Sequence, residues 1–346
     1  MKHPVLSLLI VLLSITLGGC EHKELCYNHD EHSGVYNPVM RFGFIQDWET
    51  PWETGPHWKE NWPSEFNIAY DDLRPALPGG VRARVYRPDG NINLYNYPVE
   101  GGKLHLNEPV DHSLIFYNND TEYIVFNELN SYASASATTR TRSRPSYRGN
   151  SVLSNGAKDK EYTVGPPDML YGSYIDVLNP ANLKRGDTLQ IAMHPLVFTY
   201  LIRFEFSHGL EYVAYTKGAL AGMARTVYLT SGTTGKEEAT ILYDCEMTDY
   251  GSEAKVKSFG VPNFPNPDYA RAPNQFGVTL EVTLKNGLHK NFDFDITDQM
   301  VSQPHGGVIT IKGIEVPDDA GGGGGGGFDV DVEDWGDQQD IELPLD

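Results

Sequence analysis

Five large apolar residues, Phe198, Tyr200, Ile202, Phe204 and Phe206, stand at every second position, with Thr199, Arg203 and Glu205 among the residues between them. Strand side chains point to opposite faces in turn, so this spacing fits a half-buried strand and not a helix of period 3.6. A strand with one apolar face needs paired neighbours and a second layer, which commits this part of the chain to sheet. The pattern recurs. Met40, Phe42 and Phe44 share a face, and Val81, Ala83 and Val85 alternate with Arg82 and Arg84. Pro88-Asp89-Gly90 turns the chain into Ile92 to Tyr97. Leu104 and Leu106, Leu114 to Tyr117 and Tyr123 to Phe126 follow. Later come Val213 to Tyr215, Val227 to Leu229, Thr240 to Tyr243 and Val308 to Val316. Val278, Leu280, Val282 and Leu284 alternate outward and Phe292, Phe294 and Ile296 alternate back, with Asn286-Gly287 between, which predicts a hairpin on a type I′ turn. Gly218 to Ala224, rich in small residues, reads as one helical turn.

The strands form two series, 39–126 and from about Leu170 onward. Long amphipathic helices between strands are lacking, so a parallel α/β sheet is excluded. The prediction is an all-β chain of two β-sandwich domains in tandem, 39–165 and 166–320. Residues 130–161, dominated by Ser, Ala, Thr, Asn and Gly, have no apolar period and read as a mobile loop within the first domain. Its Arg140, Arg142, Arg144 and Arg148 suit either an anion or a solvated, protease-accessible tip, the second being the simpler.

The N-terminus has its own grammar. Lys2 and His3 precede an apolar run from Val5 to Leu17, too short to cross a hydrocarbon core that needs roughly 20 residues. Leu17-Gly18-Gly19-Cys20 closes it and resembles the lipobox of bacterial lipoproteins. Residues 1–19 are therefore predicted to be a signal peptide, Cys20 the acylated first residue and 20–38 a polar tether. At the other end Gly321 to Gly327 form a glycine linker. Phe328, Val330 and Val332 then alternate with Asp329, Asp331 and Glu333, and Ile341, Leu343 and Leu345 repeat the pattern, so residues 321–346 read as a linker and an acidic, strand-competent tail. Such a strand can fold onto its own sheet or add to an open edge on another chain.

The formal net charge of −20 argues against nucleic acid, which needs a basic footprint, and against charge-driven binding to an anionic membrane. Of three cysteines, Cys26 and Cys245 remain as a possible pair once Cys20 is lipidated. Cys26, His29 and His32 have ligand-like spacing but no second ligand pair nearby, and the tail acids lack the glycine and terminal glutamate of a calcium loop. No nucleophile elbow, phosphate loop, dinucleotide fingerprint or zinc-protease motif occurs, so neither catalytic residues nor a cofactor are assigned and no enzyme is expected. Trp48, Trp52, Trp58 and Trp62 lie in a proline-rich stretch that reads as a long ordered loop. They suit either cover for the end of a core or a stacking platform for a glycan.

Several stretches carry a family resemblance: Cys20 with Leu25-Cys26-Tyr27, Val164 to Gly172, Pro195 to Tyr200, Gly218 to Ala224 and Phe294 to Gln299, with the Gly-rich acidic tail after them. In these the chain resembles the lipoproteins of Bacteroidales related to the minor fimbrial anchor and accessory proteins of type V pili. The resemblance implies two transthyretin-like or Ig-like sandwiches, an outer-membrane lipid on Cys20, and a role in anchoring or assembling a fimbria or in adhesion, with fimbrial subunits as partners. Only Cys20 is carried over as a functional residue.

Overall fold

The computed structural model describes residues 37–52, 55–106, 108–154, 156–184, 186–266 and 276–317. Cys20, Cys26, the tether up to residue 36 and the tail 321–346 lie outside them. The strands are β1 (Val39–Phe44), β2 (Val81–Tyr86), β3 (Ile92–Tyr97), β4 (Gly102–Lys103), β5 (His112–Asn118), β6 (Ile124–Asn127), β7 (Ser136–Thr139), β8 (Thr163–Val164), β9 (Tyr171–Leu178), β10 (Thr188–Pro195), β11 (Phe198–His208), β12 (Val213–Ala224), β13 (Val227–Tyr228), β14 (Glu238–Asp244), β15 (Glu246–Met247), β16 (Gly251–Ser258), β17 (Gly277–Leu284), β18 (His289–Asp295) and β19 (Gly307–Glu315). Among the described residues there are also two short α-helices, α1 (Ser151–Ser154) and α2 (Thr297–Val301), and four single 3-10 turns. The all-β class and its sandwich layering are those the alternation predicts.

A seven-stranded sheet, ordered β3-β2-β5-β9-β10-β1-β4, builds the first body. One face holds Met40, Val81, Ala83, Val85, Leu114, Phe116, Tyr171 and Met193 in a core. Its other face packs Ile115 and Tyr117 against the small sheet β13-β7-β6. The N-terminal strand β1 is not an edge: it runs parallel to β10 over six residue pairs and antiparallel to β4. The second body is a two-sheet sandwich, β15-β16-β11-β19 facing β18-β17-β12-β14-β8. Tyr200, Ile202 and Phe204 of β11 fill its core with Leu280 and Val282 of β17, as their alternation requires.

Three expectations need correction. The sheets do not divide at 165/166: β9 and β10 belong to the first sheet, because β9 pairs with β5 and β10 with β1. Gly218 to Ala224 is the end of β12, not a helical turn. Its small residues serve close packing, since a Cβ on Gly218 would lie 2.2 Å from the Tyr243 ring. The β17–β18 hairpin forms where predicted, but Leu284 N–H donates to Leu288 O and Gly287 (φ 83°) is left-handed while Asn286 is not among the positive-φ residues. The loop is thus longer than a type I′ turn, with glycine at its left-handed position.

Residues 130–161 depart furthest from expectation. They contribute β7 and α1 and lie along the outer face of the β12–β14–β17 region. Arg144 is buried, pairs with buried Glu281, and donates to Tyr243 O (3.0 Å) and Gly218 O (2.9 Å). Tyr147 packs on Ala219 and Leu242, and Asn150 Nδ2 donates to Thr279 Oγ1 at 2.9 Å. The stretch lacks an apolar period because polar pairing, not a greasy stripe, holds it down. Arg140 and Arg148 alone match the solvated reading; Arg142 is half-buried and donates to Leu242 O at 3.0 Å.

Candidate functional site

Three of the four tryptophans cluster, and Trp52 packs apart from them. Trp48 is buried on Leu201 and Val308, the outward residues of β11 and β19, while Trp58, Trp62, Phe66 and Tyr70 close around it. Trp48 meets Trp62 edge-on at 5.9 Å, and Trp62 meets Trp58 at 6.2 Å and Phe66 at 5.1 Å. Trp52 packs edge-on against Phe264 at 5.0 Å. Two indole N–H groups are spent inside the protein, Trp58 on Gln303 Oε1 (2.7 Å) and Trp62 on Ile68 O (2.8 Å). Edge-on contacts and inward N–H groups suit a cover better than a flat stacking platform. Beneath the cover Arg203 lies 4.1 Å from the Phe66 ring centre and 4.3 Å from that of Tyr250.

Glu49 sits under the same cover, 4 % exposed, with Tyr70 Oη donating to its Oε1 at 3.0 Å. Burial raises its pKa to about 7, opposed by the Tyr70 hydrogen bond and aided by the charges of Glu60 and Asp47. A carboxyl with a raised folded-state pKa binds more protons folded than unfolded between pH 4.5 and 7, so it lowers stability as pH rises through that window. Glu49→Gln is therefore expected to gain stability over the wild type between pH 5 and pH 8, by up to about 3 kcal/mol. Urea unfolding at those two pH values measures it, and an equal difference at both would refute it.

Other titratable groups of the described residues are placed structurally. Among the described residues no cluster of three or more His, Cys, Asp or Glu could hold a metal. His305 is stacked on Phe198 at 4.2 Å, and burial lowers its pKa to about 3. Burial pushes the Cys245 thiol up to about 12, which makes it a poor nucleophile, and no disulfide engages it. A cleft of about 410 Å³ between the two bodies is lined by Arg74, Leu77, Asp120, Asp168, Lys255 and Lys257. Its acids are occupied structurally: Asp168 Oδ2 accepts from Glu122 N and Tyr123 N, and Asp120 Oδ2 accepts from Gly79 N at 2.6 Å.

Sheet edges remain, and they differ. The first sheet is rolled until its two ends nearly meet, where Tyr95 Oη donates to His105 O (2.9 Å) and Tyr97 Oη to Lys103 O (3.2 Å), so hydroxyls bridge the seam. The β19 edge is plugged by α2 and the turn after it. Gln303 accepts from Val308 N (2.7 Å) and donates to Val308 O (3.1 Å); Gln299 accepts from Thr310 N (3.0 Å) and donates to Thr310 O (3.2 Å). Each amide thus mimics one residue of an added strand. Gly307 is required beside the plug, because a Cβ there would lie 2.0 Å from Gln303 Oε1. Sequence reasoning missed this pair; its only signal is two glutamines four apart ahead of a strand.

The β18 edge lacks a second strand neighbour, with α1 reaching it at Asp293, where Ser151 N donates to Oδ2 at 3.3 Å. β18 is the outermost strand of its sheet and pairs with β17 alone among the described residues. Because Leu284 and Leu288 form a hydrogen-bonded pair, alternation gives bonded pairs at Val282/Lys290 and Leu280/Phe292. The backbone groups of His289, Asn291 and Asp293 therefore face outward, unpaired by strand. An edge of seven residues is a template for another strand.

Comparisons with known proteins agree with this architecture. A crystal structure of a Bacteroides ovatus protein, provisionally described as an adhesin, superposes with a TM-score of 0.54 at 18% identity, covering 86% of this chain and 99% of that one. It shares the fold. The fimbrial anchor protein Mfa2 of Porphyromonas gingivalis is matched at a TM-score of 0.43 and 12% identity, over 80% of this chain and 90% of that one. A fimbrial assembly protein of Parabacteroides distasonis is matched at 0.34 and 11%, over 80% and 91%. No curated protein matches. The model of the domain of unknown function DUF5119 matches residues 67–244, more than half of the chain, and the chain belongs to that family.

Proposed function

We propose that the chain is a lipid-anchored cell-surface protein with a fimbrial anchoring, assembly or adhesive role, non-catalytic, that grips its partner by strand addition at β18. The observation that carries this reading is the β18 edge, paired by strand on one side only, in a sandwich whose β19 edge is plugged by Gln299 and Gln303. The fimbrial and adhesin-type descriptions of the structural neighbours support the role. No helix among the described residues is long and apolar enough to cross a membrane, so attachment falls to acyl chains on Cys20, at about 0.8 kcal/mol per buried methylene. Glycan binding by Trp48, Trp52, Trp58 and Trp62 is the weaker reading, since those rings pack on one another and on Phe66, Tyr70 and Phe264.

Two substitutions test it in cells. Cys20→Ala is expected to move the protein from the outer-membrane fraction to the soluble one; unchanged membrane retention would refute the anchor. Asn291→Pro should leave the fold intact, because the lost N–H makes no ladder bond, while abolishing co-purification of fimbrial or other surface subunits. Undiminished co-purification would refute strand addition at this edge.

A further inference from the structure

The open edge and the acidic tail are separated in sequence only by α2 and β19, and the fold brings the edge and the chain's point of departure to one pole. The connector from β11 to β12 joins them: Val316 N donates to His208 O at 3.0 Å, and Lys285 N donates to Tyr212 O at 2.8 Å. Val316, where β19 has just ended, and Lys285, where the β17–β18 hairpin begins, are thus bonded to residues four apart in sequence. Since α2 alone separates β18 from β19, both strands border the same side of the sandwich.

We propose that residues 328–333 of the same chain add to the free edge of β18 as a sixth strand of its sheet, and guard that edge until a partner's strand displaces them. This deepens the edge reading above and rests on it. Reach is sufficient: ten residues, seven of them the glycines 321–327, separate Pro317 from Phe328, and they span at most roughly 35 Å. The chain leaves at the pole where β18 begins, so a strand running away from that pole lies parallel to β18. Pattern fits as well. Lys290, Phe292 and Phe294 are half-buried on the inner face of β18 while their alternates are exposed, and Phe328, Val330 and Val332 would extend that apolar face. Charge favours this pole. Lys285 and Lys290 have no ion pair among the described residues, and His289 stands beside them, opposite Asp329, Asp331 and Glu333. The acids of β18 are already engaged, Asp293 by Thr279 Oγ1 and Ser151 N and Asp295 by Thr297 N. The second alternating run, 341–345, is the poorer strand because Pro344 lacks an N–H. The β19 edge is closed to the tail over Val308 and Thr310 by the glutamine plug.

Hydrogen exchange read by mass spectrometry on the full chain tests this, against the double substitution Val330→Pro with Val332→Pro and against deletion of 328–346. Both variants leave the described residues untouched, and a thermal melt checks that they fold. Peptides spanning 289–295 are expected to exchange on the order of tenfold more slowly in the full chain than in either variant, at low and high protein concentration alike. Equal rates in all three would overturn the proposal. Protection that appears only at high concentration, together with a dimer in sedimentation, would overturn it in favour of exchange between copies. Co-purification separates this from the function proposed above. If the tail guards the edge, its deletion raises capture of surface subunits; equal exchange rates with capture retained defeat the guard alone, and no capture with or without the tail defeats strand addition itself.

Discussion

Replacing Arg144 by alanine is expected to cost roughly 3–5 kcal/mol of unfolding free energy, the range found when one member of a buried ion pair is removed. Glu281 would be left charged at 7 % exposure with neither carboxylate oxygen hydrogen-bonded, and the Tyr243 and Gly218 carbonyls would lose their donor. The damage should be local as well as global. Arg144 pins the segment that carries Tyr147 and Asn150, so limited proteolysis should open between 140 and 161 in the variant and not in the wild type. Replacing both partners with apolar residues, Arg144→Met with Glu281→Leu, should recover much of the loss, since no charge is then stranded. Denaturant unfolding of the three proteins measures this. An Arg144→Ala variant within 1 kcal/mol of wild type would mean that the pair is not buried in solution.

Trp48→Ala is expected to be as severe. Truncating a buried tryptophan to alanine costs roughly 3–5 kcal/mol through lost burial and the cavity left behind. Trp48 is 2 % exposed and sits centrally, touching Trp62 and Tyr70 and covering Leu201 and Val308. Without it water would reach Arg203, whose guanidinium is otherwise held between Phe66 and Tyr250. A fall in the melting temperature on the order of 10 °C is expected. Trp58→Ala should cost less, since Trp58 is only half-buried and its N–H has one partner. If instead Trp48→Ala melts like wild type and glycan binding disappears, the loop is a platform and not a cover.

Strands with a clean period of two were legible because burial on one face writes itself into alternation. The course of β11 follows directly from Phe198 to Phe206, and that of β17 from Val278 to Leu284. What escaped is held by polar groups, which leave no period. Arg144 in a Ser- and Thr-rich stretch looks solvated until Glu281, more than a hundred residues away, is brought beneath it. Gln299 and Gln303 look like helix surface until β19 returns beside them. Sheet membership was hidden for a related reason: β9 and β10 lie beyond residue 165 in sequence but pair backward, with β5 and β1. The open edge was the least legible feature, because an edge is defined by which neighbour is missing, and a single sequence carries no statement of strand order.

The interior position of β1 has a mechanical consequence. Whatever lies N-terminal of Asn37 joins the body through a strand flanked by β10 and β4, in register with Thr188–Met193 over its full length. Tension transmitted through that connection runs along the strand axis, so its ladder is loaded in shear and the bonds must yield together rather than peel one at a time. A terminal strand on an outer edge would come away far more easily under the same pull.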